Sequence, residues 1–251
     1  MGRTRSAEAG GQWRADGLAD IPAIARVIGD PTRVGMLDAL VDDRELPASE
    51  LARRVGVSAS TASAHLARLV DARLVAVERH GRQRRYRLAD DAVAAAVEAL
   101  AAIAPPRPVQ SLREATRGAL LREGRTCYDH LAGRLGVELT GALSSHGILR
   151  RHGSGYVLMR GGERSLAELG IDVAVIRAQR RRFAFPCLDW SERRDHLAGA
   201  LGAALAERLF ALGWVTRVGP GRAVAVTEAG RTELRSRFDL EVATTASTRS
   251  G

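Results

Sequence analysis

The chain has no lysine: all 38 of its basic residues are arginine. Against 29 acidic residues this leaves a net charge of +9, and a basic surface attracts polyanions and releases their counterions. The accompanying abundance of alanine, glycine and arginine reads as the codon bias of a GC-rich genome, so the clustering of arginine carries more meaning than its number. Cysteine is almost missing as well. Two thiols, Cys127 and Cys187, are too few for a disulfide framework and fit a reducing cytoplasm. No stretch approaches the roughly 18 apolar residues of a membrane span. The N-terminus, MGRTRSAEAGGQWRADG, lacks the apolar core of a secretory signal, so the expectation is a cytoplasmic protein with no membrane partner.

What is present suggests two domains, for which 251 residues suffice. Residues 1–17 and the tail 241–251 are small, polar and aperiodic, and are expected to be loose. Between them "APPRPVQS" (104–111) holds three prolines in eight residues, which neither a helix nor a central strand accepts. This is the expected linker between residues 18–103 and 112–240. The fold class expected is mainly α with small β-hairpins (α+β): a winged helix-turn-helix first, then a domain of two α-β-β-α repeats.

In the first unit Asp20 can cap a helix carrying Ile21, Ile24 and Ile28, and Asp30-Pro31 restarts one that runs to about Val41. Pro47 opens "ASELARRVG", which Gly56 stops; Ser58 then caps a helix whose Ala62, Leu66 and Leu69 face inward. "LVAVERHGRQRRYRLA" (74–89) alternates and turns at His80-Gly81, a hairpin. Two helices joined by a short turn and followed by a hairpin are the order of a helix-turn-helix with a wing.

The second helix of the pair has an unusual outer face. Ser60, Thr61, Ser63, His65 and Arg68 lie on its polar side, and no acidic residue occurs between Ser58 and Val70. Small side chains let a helix sink into a major groove about 12 Å wide, where hydroxyls reach phosphates or base edges. The hairpin adds six arginines between Arg73 and Arg87, of which Arg79, Arg82, Arg84 and Arg85 flank the tip. Such a tip suits a phosphate backbone or a narrow minor groove. A Ser/Thr-rich helix alone is often a solvated face, and arginine-rich turns are common in this composition. In this order the two together point to double-stranded DNA, with Ser58 as the cap of the docking helix.

These residues resemble the ArsR/SmtB family of winged-helix repressors. The resemblance rests on "IARVIGDPTRVGMLDALV" (24–41), "ELARRVGVSASTASAHLARLVDARLV" (50–75) and the wing "VERHGRQRRYRL" (77–88), and covers about residues 20–103. It implies a cytoplasmic homodimer that binds operator DNA and releases it when an inducer binds. The helix "DDAVAAAVEALAAIA" (90–104) fits the dimer role, with Val93, Val97 and Leu100 in one stripe. The metal sites of the family do not carry over. "SELARRVG" has neither cysteine nor histidine, and the helix after the wing offers Asp90, Asp91 and Glu98 without histidine, a poor donor set for a transition ion.

The rest of the chain repeats itself. "DHLAGRLGVELTGAL" begins at Asp129 and "DHLAGALGAALAERL" at Asp195, an offset of 66 residues that also pairs Leu139 with Leu205 and Gly147 with Gly213. Each copy reads as helix, hairpin and helix, and the copies are expected to pack about a pseudo-two-fold axis. Cys127 and His130, at i and i+3, are expected on one helix face; Cys187 lies ahead of the matching helix and His196 inside it. Convergence of the four at the axis would suit Zn²⁺ or another thiophilic ion, and paired thiols also suit an oxidant or arsenite. The alternatives are ordinary core residues, an apolar inducer near Tyr128, Phe183, Phe185 and Trp190, or a Cys127–His130 nucleophile pair, although "CYDH" matches no catalytic signature. "RAQRRRFAFP" (177–186) reads as a solvated connection. The expectation is a regulator and not an enzyme.

Overall fold

Side-chain caps set the first helices. In a computed structural model that describes residues 19–42, 45–81, 83–105, 108–219 and 221–242, Asp20 accepts the amide of Ala23 and opens α1 (Ile21–Ile28). Asp30 does the same for Arg33 at the start of α2 (Pro31–Asp42), whose leading proline has no amide to leave unpaired. The loose ends expected at 1–17 and beyond 242, Arg82 and part of the linker lie outside the described residues. After β1 (Leu46–Pro47), α3 (Ala48–Val55) stops at Gly56, where φ is 71° and only glycine is free of Cβ strain. Ser58 then opens α4 (Ala59–Asp71) by accepting the Thr61 amide. The short turn lays Leu51 and Ala52 against Ala62, Leu66 and Leu69, all buried.

β2 (Val75–His80) and β3 (Gln83–Leu88) form the expected hairpin, and β1 joins its free side to give the order β1-β3-β2. β1 is too short to show alternation in the sequence, and Pro47 ends it while serving as N-cap of α3. Asp90 accepts the amides of Ala92 and Val93 to start α5 (Asp91–Ile103).

The second unit opens with α6 (Leu112–Glu123), capped by Ser111. The first repeat is β4 (Arg125–Cys127), β5 (His130–Ala132), α7 (Gly133–Ser145), β6 (Leu149–His152), β7 (Gly155–Leu158) and α8 (Gly162–Glu168). Following α9 (Val173–Arg177), the second is β8 (Phe185–Leu188), β9 (Asp195–Ala198), α10 (Ala200–Ala211), β10 (Val215–Arg217), β11 (Val224–Val226) and α11 (Glu228–Phe238). The expected α-β-β-α units are α7-β6-β7-α8 and α10-β10-β11-α11. Each has a further hairpin in front, β4-β5 or β8-β9.

These front hairpins correct the helical placement of Cys127, His130 and His196. Gly133 and Gly199 have φ of 73° and 90°, a corner that no helix runs through, so the helices begin there and not at Asp129 and Asp195. A side chain at either glycine would also meet a backbone carbonyl at 2.8 Å. "DHLAG" is therefore a strand entering a corner.

The repeats interlock. The Thr126 amide donates to Arg222 O at 2.9 Å and the Val224 amide to Gly124 O at 2.8 Å, which joins the front hairpin of the first copy to the rear hairpin of the second. Reciprocally, the Tyr156 amide donates to Ala184 O at 3.1 Å. The expected leucine stripes, including Leu139 on α7 and Leu205 on α10, are buried in the shared core.

Candidate DNA-binding face and Cys/His centre

On α4, Ser58, Ser60, Thr61, Ser63 and Arg68 are exposed while Ala62, Leu66 and Leu69 hold the helix to the core. The Ser58 hydroxyl lies 2.9 Å from those of Ser60 and Thr61, and Ser63 donates to Ala59 O at 3.0 Å, so small groups cover the surface close to the backbone. His65 leaves this row. Its Nδ1 is 3.4 Å from Arg33 Nη1 and 3.6 Å from Asp30 Oδ1. Arg33 itself is buried and bonds Val27 O and Arg26 O, tying α1, α2 and α4 together. Asp30 is held below its ordinary range, chiefly by the Arg33 amide.

In the wing Arg79 and Arg84 face each other across β2 and β3, both exposed and without a carboxylate among the described residues. Like charges directly opposite are unfavourable unless an anion lies between or over them. Arg85 is half-buried, and Arg87 is committed to Glu78 at 2.6 Å.

The four sulfur and imidazole residues of the second unit do converge, by a route the spacing hid. Cys127 is the cross-strand partner of His130 in β4-β5, and Cys187 of His196 in β8-β9. The first pair is linked by the two-residue turn Tyr128-Asp129, with Tyr128 at φ 56°, and the second by residues 188–195. Thus residues three apart in the first copy and nine apart in the second occupy equivalent positions. The Cys127 and Cys187 sulfurs lie 4.0 Å apart and the His130 and His196 Nε2 atoms 3.2 Å apart. All four donors fall within 4.8 Å of one another and are buried. A tetrahedral Zn²⁺ site with ordinary bond lengths requires separations of ~3.8 Å between sulfurs and ~3.3 Å between nitrogens.

Room for this approach comes from two helix glycines. A Cβ at Gly136 would stand 3.5 Å from His196 Cβ, and one at Gly202 3.2 Å from His130 Cβ, with the adjoining Leu131 and Leu197 carbonyls closer still. The helix of each repeat lies on the histidine strand of the other.

Each histidine has a carboxylate near its remaining nitrogen, hydrogen-bonded at His130 but not at His196, whose Nδ1 has no hydrogen-bond partner among the described residues. Asp129 Oδ1 is 3.1 Å from His130 Nδ1, and Asp189 Oδ2 is 3.4 Å from His196 Nδ1. Such partners orient metal-binding imidazoles. Both carboxylates are themselves held. Arg181 reaches Asp129 Oδ2 at 2.6 Å; Arg125 Nη2 at 2.9 Å and the Gly133 amide at 2.7 Å reach Asp189 Oδ2. Arg125 is fully buried, with its guanidinium 4.4 Å from the Trp190 ring. Burial alone would raise both aspartates, but His130 and Arg181 hold Asp129 at about 2, and Arg125 with Ser191 and backbone amides holds Asp189 at about 2.

The thiols divide. The hydrogen bond between them, then burial, push Cys127 well up, whereas the same bond and the two imidazoles pull Cys187 far down. Burial works against a charged His130, yet bonds to Asp129 and Cys187 outweigh it and hold this histidine at about 9. Without an ion the centre is accordingly one thiol, one thiolate and one imidazolium beside His196.

The sequence reading missed the outer residues Asp129, Asp189, Arg125 and Arg181. The repeated "DH" points to a carboxylate beside each histidine, but Asp195 instead pairs with Arg151 at 2.6 Å and Asp189 of the loop takes its place. Arg181 belongs to the stretch read as a solvated connection, and there Arg177 and Arg182 cover Phe183 and Phe185 at 4.4 and 4.2 Å.

A helix-turn-helix domain model matches residues 28–78. The uncharacterized HTH-type transcriptional regulator YdfF of Bacillus subtilis is 40% identical over 223 residues, 89% of this chain and 99% of that protein. A match of that length extends through the Cys/His domain. KmtR of Mycobacterium tuberculosis is 41% identical over 78 residues, 31% of this chain and 59% of its own. CmtR of Mycobacterium bovis is 35% identical over 105 residues, 40% of this chain and 88% of its own. Both are named HTH-type transcriptional regulators. The chain belongs to the HTH-type transcriptional regulators, with a winged helix of the ArsR/SmtB family at its N-terminal end.

Proposed function

We propose that the protein is a cytoplasmic homodimeric repressor that binds double-stranded operator DNA and is released when a thiophilic divalent ion of the Zn²⁺ class fills its C-terminal centre. Residues 18–103 act as the DNA-binding and dimerisation unit and 112–240 as the sensor. In this reading α4 enters the major groove with Ser60, Thr61, Ser63 and Arg68 outward and Ser58 as cap, while His65 braces the helix from behind. Arg79, Arg84 and Arg85 lie along the phosphates of the wing, and Arg82 belongs to the same tip by sequence. The ion is held by Cys127, His130, Cys187 and His196. Supporting the dimer, Ile21, Leu100 and Ile103 are exposed apolar residues on α1 and α5, the last at 75%.

The observation that carries the sensor reading is the donor set itself. Two thiols and two imidazoles, buried within 4.8 Å and each imidazole backed by a carboxylate, make a closed site with no open position for a substrate. That closure favours sensing over catalysis by Cys127 and His130. Polarisation of a labelled fragment of the gene's own promoter, titrated with protein at several salt concentrations, with Zn²⁺ or with chelator, tests both halves. The expected result is binding that weakens with salt and weakens again with Zn²⁺. Binding absent or indifferent to salt defeats the DNA reading; a response to diamide or arsenite but not to Zn²⁺ defeats the metal reading.

A further inference from the structure

Both histidines lead outward to the same helix, α5, which belongs to the DNA-binding unit. From His130 the path runs to Asp129, then to Arg181, whose Nη2 lies 2.6 Å from Asp91 Oδ2 in the first turn of α5. From His196 it runs to Asp189, then to Arg125, whose Nη2 lies 3.9 Å from Glu98 Oε2. Glu98 Oε1 is bonded by Arg222 at 2.5 Å, and Arg222 in turn approaches Asp38 of α2 at 3.9 Å. Asp91 and Glu98 are seven residues apart, two helical turns, hence on one face of α5. The opposite side presents Leu100 and Ile103 to solvent.

We propose that occupancy of the Cys/His centre is transmitted to the DNA-binding unit through two arms, His130–Asp129–Arg181–Asp91 and His196–Asp189–Arg125–Glu98, which together set the position of α5. This rests on the metal-sensor reading above. Between the two Nε2 atoms, 3.2 Å apart, one nitrogen donates and the other accepts in the ion-free centre. An ion takes both Nε2 lone pairs, so that hydrogen bond is lost, while each ring keeps its Nδ1 proton toward Asp129 or Asp189. The rings must also separate about an ion that now lies between them. Each change falls on a carboxylate whose other contact is an arginine held by α5.

Coupling needs little else. Arg125, Asp189 and Glu98 are each buried to within 2% of completely, in a medium where charged contacts are strong and do not slide freely. Arg181 and Asp91 line a small, nearly enclosed crevice between α5 and the front hairpins, together with Tyr128, His130 and Cys187. Allosteric couplings of this kind typically change affinity about 5- to 150-fold.

The test compares the full-length protein with Asp91→Asn and Glu98→Gln variants, each three links removed from the histidine of its arm. Zn²⁺ affinity is read by competition with a chromophoric chelator, and promoter affinity by polarisation with Zn²⁺ and with chelator. The wild type is expected to bind Zn²⁺ and to change its promoter affinity at least fivefold. Asp91→Asn, at a partly exposed position, is expected to bind Zn²⁺ within about tenfold of wild type. Its ion-free promoter affinity should be unaltered and its response to Zn²⁺ reduced at least threefold. Glu98→Gln leaves buried arginines short of a charge, so its fold is checked by circular dichroism; if it unfolds, Asp91→Asn alone decides. A full Zn²⁺ response in Asp91→Asn overturns the arms. Zn²⁺ binding with no change in promoter affinity in the wild type overturns them too and makes the ion structural. Failure of the wild type to bind Zn²⁺ is a different result, which removes the sensor reading on which the arms depend.

Discussion

Substituting Gly136 by alanine separates the packing that builds the Cys/His centre from simple helix propensity. Gly136 and Gly141 both lie within α7 and are both glycines in a helix, so propensity alone predicts that alanine stabilises at either by about 0.5–1 kcal/mol. At Gly141 nothing lies within 4 Å of the added methyl, and that prediction stands. At Gly136 the methyl falls 2.6 Å from the Leu131 carbonyl carbon, about 0.8 Å short of ordinary contact, and meets the carbonyl oxygen as well. Leu131 follows His130 in β5, and backbone cannot rotate away as a side chain can, so α7 and β5 must part. Overpacking of this kind costs about 1–3 kcal/mol. For a chain of this size that lowers Tm by roughly 2–12 °C, opposite in sign to Gly141→Ala. Metal sites tolerate ligand displacements of only about 0.2 Å, so Gly136→Ala should also lose Zn²⁺ affinity at least tenfold. Thermal melts of the chelator-treated protein and a Zn²⁺ competition titration measure the two effects. If Gly136→Ala melts at or above the wild-type temperature, or moves with Gly141→Ala, the close helix–hairpin approach is wrong.

Ser63→Glu places a carboxylate on the outer face of α4 and is expected to weaken promoter binding by about 1–3 kcal/mol with an unchanged melt, while Arg84→Ala lowers the salt slope of binding by about one; polarisation across a salt series reads both. Ile103→Asp is expected to shift the protein toward monomer in sedimentation equilibrium with an unchanged circular-dichroism spectrum, because this residue is exposed in the single chain. Zn²⁺ binding should release about two protons near neutral pH, one from the Cys127 thiol, held up by its bond to Cys187 and by burial, and one from His130 at about 9. Affinity then rises about 100-fold per pH unit through neutrality and more shallowly above pH 9, where His130 has already lost its proton; calorimetry in buffers of different ionisation enthalpy counts the protons, and a count of zero refutes the assignment.

The first unit was legible because its signals are local. Asp20, Asp30 and Ser58 each cap the helix they precede in the sequence, and Gly56 turns the chain where its position suggests. The repeat of the second unit was legible in its leucines and glycines for the same reason. What failed was the phase at its start. "DHLAG" has the apolar and charged content of a first helical turn, and only the left-handed backbone at Gly133 and Gly199 turns it into a strand and a corner. The misplacement also concealed why the cysteines are equivalent: His130 and His196 obey the 66-residue offset, whereas Cys127 and Cys187 are 60 apart. A sequence offset records connection length, but a cross-strand pair records register, and the two front hairpins pair cysteine with histidine alike while differing by six in the number of residues between them.

The outer shell was invisible for a deeper reason. A pseudo-two-fold centre presents its two histidines alike, but α5 is a single helix with direction, and no two-fold operation maps its first turn onto its third. Arms that begin as equivalents must therefore end on unlike residues, Asp91 on one side and Glu98 on the other, two turns or about 10.5 Å apart along the axis. The intermediate residues inherit the mismatch. Asp129 comes from the tight turn of one hairpin and Asp189 from the long loop of the other; Arg125 lies in a strand, and Arg181 between α9 and β8. None of these pairs shares the 66-residue offset, so a search for repetition finds the two histidines and passes over the residues that tie them to α5. The loop of the second copy, longer by four residues, is what lets Asp189 return to His196 from the side where Arg125 and Glu98 are buried, while the short turn of the first keeps Asp129 beside Arg181. Shortening the second loop would keep the repeat and the donors and would sever that arm.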